Sequence, residues 1–427
     1  MENKTSKNRW LIAAAAVGIH LSIGSVYAWS VFTTPLNDTF GWSLTGISLT
    51  FSIAILFLGL SAAFMGHFVE KHGPRRSGMV ASVFFGVGMI GSGLSIQLES
   101  IYMLYIFYGV LGGIGLGVGY ITPVSSLVKW FPDRRGLATG LAIMGFGFAS
   151  LIASPVMQRL IENLGIAATF YILGAIYFVV MFSSSLYLER PPEGWLPKAM
   201  RERQDSGEEK PVKDISYLDA NEAIKTRRFY FLWVMLFINV TCGIAILSVA
   251  SPMAQEIAGL SAAAAATMVG IMGFFNGAGR LAWASVSDYI GRPNVYTAFF
   301  VIQIASFIML PSLTHALIFQ AVLFLIMTCY GGGFASVPAY IGDIFGTKQL
   351  GAIHGYILTA WAAAGLAGPI LVSWLRETTE SYALTMYIFG GMFVIALLVS
   401  LLIRIDIKRL KEKQESSSYE EETSVNH

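Results

Sequence analysis

Gly66-His-Phe-Val-Glu70-Lys-His-Gly73-Pro-Arg75-Arg76 closes one long apolar run, and Ala284-Ser-Val-Ser-Asp288-Tyr-Ile-Gly291-Arg292 closes another. Both read small-xxx-acid-xx-Gly, followed within one or two positions by a basic residue. A second series agrees: Pro123, Gly136 and Gly140 recur as Pro338, Gly351 and Gly355, each 215 positions on. Several matches in one order and at nearly one offset predict duplicated halves, the plan from which membrane carriers build a central site and rock around it. A carboxylate at a helix end beside arginines can make a charge-assisted contact that exists in one conformation and breaks in another. Gly66, Glu70, Gly73, Arg75, Arg76, Asp288, Gly291 and Arg292 are therefore candidate conformational residues. The plainer alternative is that they only fix topology at two loops.

Outward from these stretches the chain is apolar. Of its 427 residues 55% are hydrophobic and 13% charged, with a mean hydropathy of +0.63, whereas soluble domains carry roughly a quarter of their residues charged. Runs of about 20 apolar residues, enough to span a bilayer, recur six times between Trp10 and Leu188 and six times between Phe231 and Arg404. They predict an all-α membrane protein with twelve transmembrane helices in two pseudo-symmetric six-helix bundles. The expected order is an N-terminus over 1–9, bundles over 10–188 and 230–404, a partly ordered linker over 189–229, and a tail over 405–427 that loses order from Glu415. The start could pass for a signal peptide, but its apolar run continues past Ala28, which favours an uncleaved first helix.

Counted from an N-terminus inside the cell, 25 of the 28 Lys and Arg residues fall in connections on one side. Lys and Arg are retained on the cytoplasmic side during insertion, so both termini and the linker are expected there, with the protein in the cell membrane. A net charge of +2 gives no reason to expect a nucleic-acid partner. Cys242 and Cys329 each lie inside an apolar run, which suits packed helix positions better than a disulfide or a metal site. No Walker sequence, metal-ligand cluster or nucleophile beside a base stands out, so neither an enzyme, nor an ATP-driven pump, nor a cofactor is expected.

The three remaining basic residues are Arg159, Arg280 and Arg376, and Arg280 lies roughly 12 Å inside the eighth span at about 1.5 Å per residue. A central Arg costs about 2.5–3.5 kcal/mol on insertion scales and does not lose its proton. No acidic residue reads as lying at comparable depth. The compensating anion is then expected to be the cargo, gripped by its carboxylate in the planar fork. The alternatives are an Arg satisfied by carbonyls and water, or one that reaches Asp343 in a closed state. Asn276, one turn away, can add a hydrogen bond. Tyr27, Tyr120, Tyr330 and Trp361 are candidate walls, each with an apolar face and a donor. His20 and His354 are the histidines deep enough to carry a coupled proton, although a structural role fits each as well.

The paired loop stretches resemble the signature of the major facilitator superfamily, and the resemblance covers essentially the whole chain. Gly24-Ser-Val-Tyr27-Ala-Trp29-Ser-Val-Phe32, Trp130-Phe-Pro-Asp-Arg134-Arg135-Gly136-Leu-Ala-Thr-Gly140, Pro191-Pro-Glu-Gly-Trp195 and the segment from Phe229 to Asn239 are similar to the oxalate/formate antiporter family and its monocarboxylate-transporter relatives. The resemblance implies that Arg280 binds substrate carboxylate and that Tyr27 and Tyr120 line the cavity. Two departures narrow the cargo: Asn276 stands where animal monocarboxylate transporters typically show Asp, and Trp361 where related oxalate transporters carry a lysine. One fixed cation suits one carboxylate. The expected function is a carrier for a small organic anion of the lactate, pyruvate or formate type, working by alternating access as a monomer, with proton symport as one driving mode. Dicarboxylate–monocarboxylate exchange and a non-transporting carboxylate sensor are the alternatives.

Overall fold

The computed structural model of the chain describes residues 7–205 and 216–425, so the ends of both termini and the middle of the expected linker lie outside the described residues. Its long helices are α1 (9–40), α2 (44–72), α3 (74–97), α4 (Ile101–Trp130), α5 (Arg135–Leu164), α6 (Ile166–Tyr187), α7 (Arg227–Ala258), α8 (Ala262–Ile290), α9 (Arg292–Ser312), α10 (Ala316–Phe345), α11 (350–379) and α12 (Ala383–Val425), with short helices over Lys198–Asp205 and Ala220–Ala223 between α6 and α7. Ten helical stretches among the described residues are long and apolar enough to cross a membrane. One of them holds both α2 and α3, which part at Gly73 (φ 81°, ψ 168°), a left-handed φ that favours glycine. With α8, whose apolar run is diluted by Asn276 and Arg280, the described spans number twelve.

A lipid-embedded backbone must satisfy its polar groups within each segment, which is why every span is helical. Helix starts carry the expected caps: side-chain oxygens of Ser43, Thr226 and Ser261 accept the backbone N–H groups of Gly46, Phe229 and Ala264. Large apolar side chains such as Phe64, Val179 and Ile370 point outward and exposed, as lipid-facing positions should.

Two spans are interrupted. α1 tightens into a 3-10 turn over Gly24–Ala28, and α11 breaks at Leu358, between Leu350–Ile357 and Thr359–Thr379. At the second break the Thr359 hydroxyl donates to the Tyr356 carbonyl at 2.7 Å and accepts from Trp233 Nε1 at 2.9 Å. The halves meet along two crossed pairs, α5 against α8 and α2 against α11. Small residues permit this approach: a Cβ on Gly147 would sit 2.7 Å from Gly277 Cα, and one on Gly59 would sit 2.5 Å from Ala362 Cβ.

Both described ends of the linker are docked. Trp130 Nε1 donates to the Glu189 carbonyl at 2.7 Å and stacks edge-on with Trp195. Farther on, the Leu218 N–H donates to the Phe345 carbonyl at 3.1 Å and the Ala220 N–H to Gln349 Oε1 at 2.8 Å. The tail departs from expectation, because α12 stays helical to Val425. Its Lys, Glu and Gln residues are good helix formers, and Lys408 pairs with Glu412 one turn on.

Candidate functional site

Arg280 is fully buried on α8, between the two halves. Its Nε donates to Asn276 Oδ1 at 3.2 Å, and its guanidinium carbon lies 5.2 Å and 5.7 Å from the ring centres of Phe334 and Phe146. Nη1 and Nη2, the two groups that would form a bidentate fork, make no hydrogen bond of good geometry with a described residue. The same holds for the Tyr120 hydroxyl, for Trp361 Nε1 and for both ring nitrogens of His354, while the Tyr27 hydroxyl lies close enough to the Tyr330 hydroxyl and to Arg280 for looser side-chain hydrogen bonding. All three tyrosines lie within electrostatic reach of Arg280. The Tyr120 ring contacts Trp361 at 5.4 Å, Phe334 at 5.6 Å, Phe146 at 5.7 Å and His354 at 5.7 Å. Side chains from α1, α4, α5, α8, α10 and α11 thus form one aromatic box around a cation. No Asp or Glu among the described residues is fully buried.

An unpaired buried polar atom costs about 1–3 kcal/mol, and a charged one more. Several of them converging on one guanidinium form a set of donors that a compact anion would satisfy. His20 differs from His354: its Nδ1 lies 2.7 Å from the Ala142 carbonyl and its Nε2 lies 3.2 Å from that of Tyr120. It ties α1 to α4 and α5.

The end of the molecule where the basic loops gather, here called the basic end, is built differently. Neither α5 nor the first part of α11 has a side-chain cap of its own. Each is capped from the opposite half. Asp288 accepts the Gly136 and Leu137 N–H groups, both at 2.8 Å, and pairs with Arg292 at 2.6 Å. Glu70 accepts the Gly351 N–H at 2.7 Å, Ser125 Oγ at 2.9 Å and Lys129 Nζ at 2.8 Å. A carboxylate at a helix N-terminus gains from both the free N–H groups and the helix dipole. Asp343 completes the network by joining Arg135 at 3.0 Å to Arg292 at 3.1 Å. A side chain at Gly136 would collide with the Ala284 carbonyl and meet Asp288, so glycine is what lets this cap form.

The model of the Major Facilitator Superfamily matches residues 12–369 and 241–424. The chain belongs to the major facilitator superfamily. It is 28% identical over 366 residues to the oxalate:formate antiporter of Oxalobacter formigenes, covering 84% of this chain and 83% of that protein. It is 24% identical over 467 residues to mouse monocarboxylate transporter 14, covering 92% and 89%. Among solved structures, the Escherichia coli fucose:proton symporter aligns with a TM-score of 0.71 at 12% identity, covering 93% of this chain and 99% of that one. The human organic anion transporter MFSD10 aligns with a TM-score of 0.71 at 13% identity, covering 92% and 100%.

Within this transporter fold the expected site residues divide. Arg280, Asn276, Tyr27, Tyr120, Tyr330 and Trp361 come together at the centre, with His354 against Tyr120. Asn276 turns its side-chain oxygen to Arg280. Asp343 is engaged by Arg135 and Arg292, and Arg280 does not reach it. Glu70, Asp288 and Arg292 join the basic-end network, Gly66 lies where α2 meets Ala352, and Gly291 turns the chain at a φ of 83°. Arg75 and Arg76 are exposed, and among the described residues neither forms an ion pair, although Arg75 and Gly73 line a shallow cavity with Glu189 and Arg190. Sequence reasoning missed Phe146 and Phe334 as box walls and missed Ser125, Lys129 and Arg135 as network members. The 215-residue repeat carried a usable signal for the caps, since Gly136 and Gly351 are counterparts that each open a helix.

Proposed function

We propose that this transporter carries a small monocarboxylate of the lactate, pyruvate or formate class by alternating access, with the carboxylate held in the fork of Arg280. The observation behind this reading is the buried guanidinium whose two Nη groups make no hydrogen bond of good geometry, inside a box of tyrosine hydroxyls with no fully buried acid among the described residues. A single fixed cation balances a single carboxylate, and the walls contributed by Phe146, Phe334 and Trp361 suit a short apolar remainder. The printed names of the relatives, an oxalate:formate antiporter and a monocarboxylate transporter, support the same class of cargo. We place the basic end and both termini in the cytoplasm, following the distribution of Lys and Arg. Glu70, Asp288 and Arg292 then act as the cytoplasmic gate. We take the monomer as the working unit.

The test is a thermal-shift screen of purified protein against formate, lactate, pyruvate, oxalate and succinate, followed by uptake of the labelled binders into proteoliposomes. Stabilisation by the first three above the last two is expected. Stabilisation by none of the monocarboxylates would end this reading.

A further inference from the structure

Tyr330 enters the box on α10, yet what holds it comes from α7 and α9, two helices that supply none of the box side chains described above. Asn239 on α7 and Gln303 on α9 are buried, at 1% and 0% exposure. Gln303 Nε2 donates to Asn239 Oδ1 at 3.1 Å, and Asn239 Nδ2 in turn donates to the Tyr330 carbonyl at 3.0 Å. Also from α9, the Tyr296 hydroxyl donates to the Gly333 carbonyl at 2.5 Å, and a Cβ on Gly333 would lie 2.8 Å from Asn239 Nδ2. Buried amides are costly unless bonded, and this chain of bonds ends on the turn of α10 that carries both Tyr330 and Phe334.

One helical turn from Asn239, Gly243 leaves room for the Tyr330 ring. A Cβ there would overlap the ring, lying 2.7 Å from Cε2 and closer still to Cδ2. Thus α7 fixes Tyr330 twice, by a hydrogen bond at its backbone and by a missing side chain at its ring. Away from α7, the Tyr330 hydroxyl reaches toward Tyr27 and lies within electrostatic reach of Arg280. A ring displaced from α7 would take up space beside the fork, where the apolar part of a carboxylate would lie.

We propose that Asn239 and Gly243 are positioning residues that set the size of the cargo through Tyr330. Gly243 lets the ring lie back against α7, and Asn239 holds it there, which leaves space beside the carboxylate for the remainder of lactate or pyruvate. The proposal rests on Arg280 being the anion site, and it assigns selection by length to residues that act on the anion only through Tyr330.

The experiment measures KM and maximal rate for labelled formate and lactate with full-length protein in proteoliposomes, together with thermal-shift binding of both anions. Gly243→Ala should raise the KM for lactate relative to that for formate by on the order of tenfold, with the maximal rate for formate near that of the wild type. Asn239→Ala should raise both KM values by about fivefold with maximal rates retained, because the ring is no longer held. Adding Gly243→Ala to Tyr330→Ala should leave the lactate-to-formate ratio where Tyr330→Ala alone puts it, since no ring remains to displace. A general packing defect in α7 would not depend on that ring. An unchanged ratio in folded Gly243→Ala overturns the proposal, as does a shift that persists in full without the Tyr330 ring. Should Gly243→Ala fail to fold, Asn239→Ala decides: wild-type KM values for both anions, or a loss confined to the maximal rate, overturn the proposal. A wild type that binds neither anion removes the anion site and this proposal together, whereas wild-type binding with unaltered variants removes this proposal alone.

Discussion

The basic end and the centre of this protein use charge in opposite ways. At the basic end Asp288, Glu70 and Asp343 each offer both carboxylate oxygens to partners, across the junction of the halves or along it. At the centre no Asp or Glu among the described residues is fully buried, and Arg280 Nε donates to Asn276. Saturated charges hold a conformation, because breaking them has a known energetic penalty. An unsaturated one recruits a ligand. On the function proposed above, the difference would let one fold keep its gate and its binding site electrostatically separate while placing Asp288 and Arg280 on the same α8.

The strongest way to break the comparison is at the centre. Arg280→Lys keeps the charge but loses the planar fork, so uptake should fall by on the order of 100-fold while the thermal midpoint stays near that of the wild type. Uptake at the wild-type rate would sink the site assignment. Next comes Gly136→Ala, which puts a methyl group against the Ala284 carbonyl. Overpacking of about 1–3 kcal/mol should push the molecule toward the state open at the basic end, read as faster thiol labelling of a cysteine introduced at Ser125. Unchanged labelling would mean that the α5–α8 contact is not part of the gate.

Asp288→Asn keeps the shape of the cap but removes its charge, and hydrogen bonds to charged groups contribute about 1.5–3 kcal/mol. A shift of roughly tenfold in the same labelling assay is expected, and Glu70→Gln should produce a similar one if the two caps are equivalent clasps. A large inequality between them would show that the halves share the load unevenly. The smallest effect belongs to Arg75→Ala combined with Arg76→Ala. Both side chains are exposed and outside the ion-pair network, so labelling should change by less than about twofold. A larger change would assign them a partner in the other conformation.

Much of this was legible in the chain. Span length and hydropathy give the helices, since lipid leaves the backbone few options, and the repeat gives the halves. Arg280 stands out because a buried cation is expensive wherever it occurs. Pairings across the halves are harder to read. Glu70 meets Gly351 over a separation of 281 positions, and nothing local in either segment names the other. Asp343 is less legible still, because the residue 215 positions earlier is Val128, so the repeat offers no counterpart that would mark it. Phe146 and Phe334 look like ordinary apolar span residues until neighbouring helices set them against a guanidinium. The α12 extension was not read from the chain either, although the Lys, Glu and Gln of that segment are strong helix formers.

The crossed capping of α5 by Asp288 and of the first part of α11 by Glu70 means that each half supplies the finishing group for a helix in the other. Severed within residues 206–215 and produced as two polypeptides, each piece would present a helix start lacking its cap, and co-production would restore both caps at once. The molecule is in this sense a pair of mutually completing fragments, suited to split-protein complementation and to mixing one half with the matching half of a related carrier.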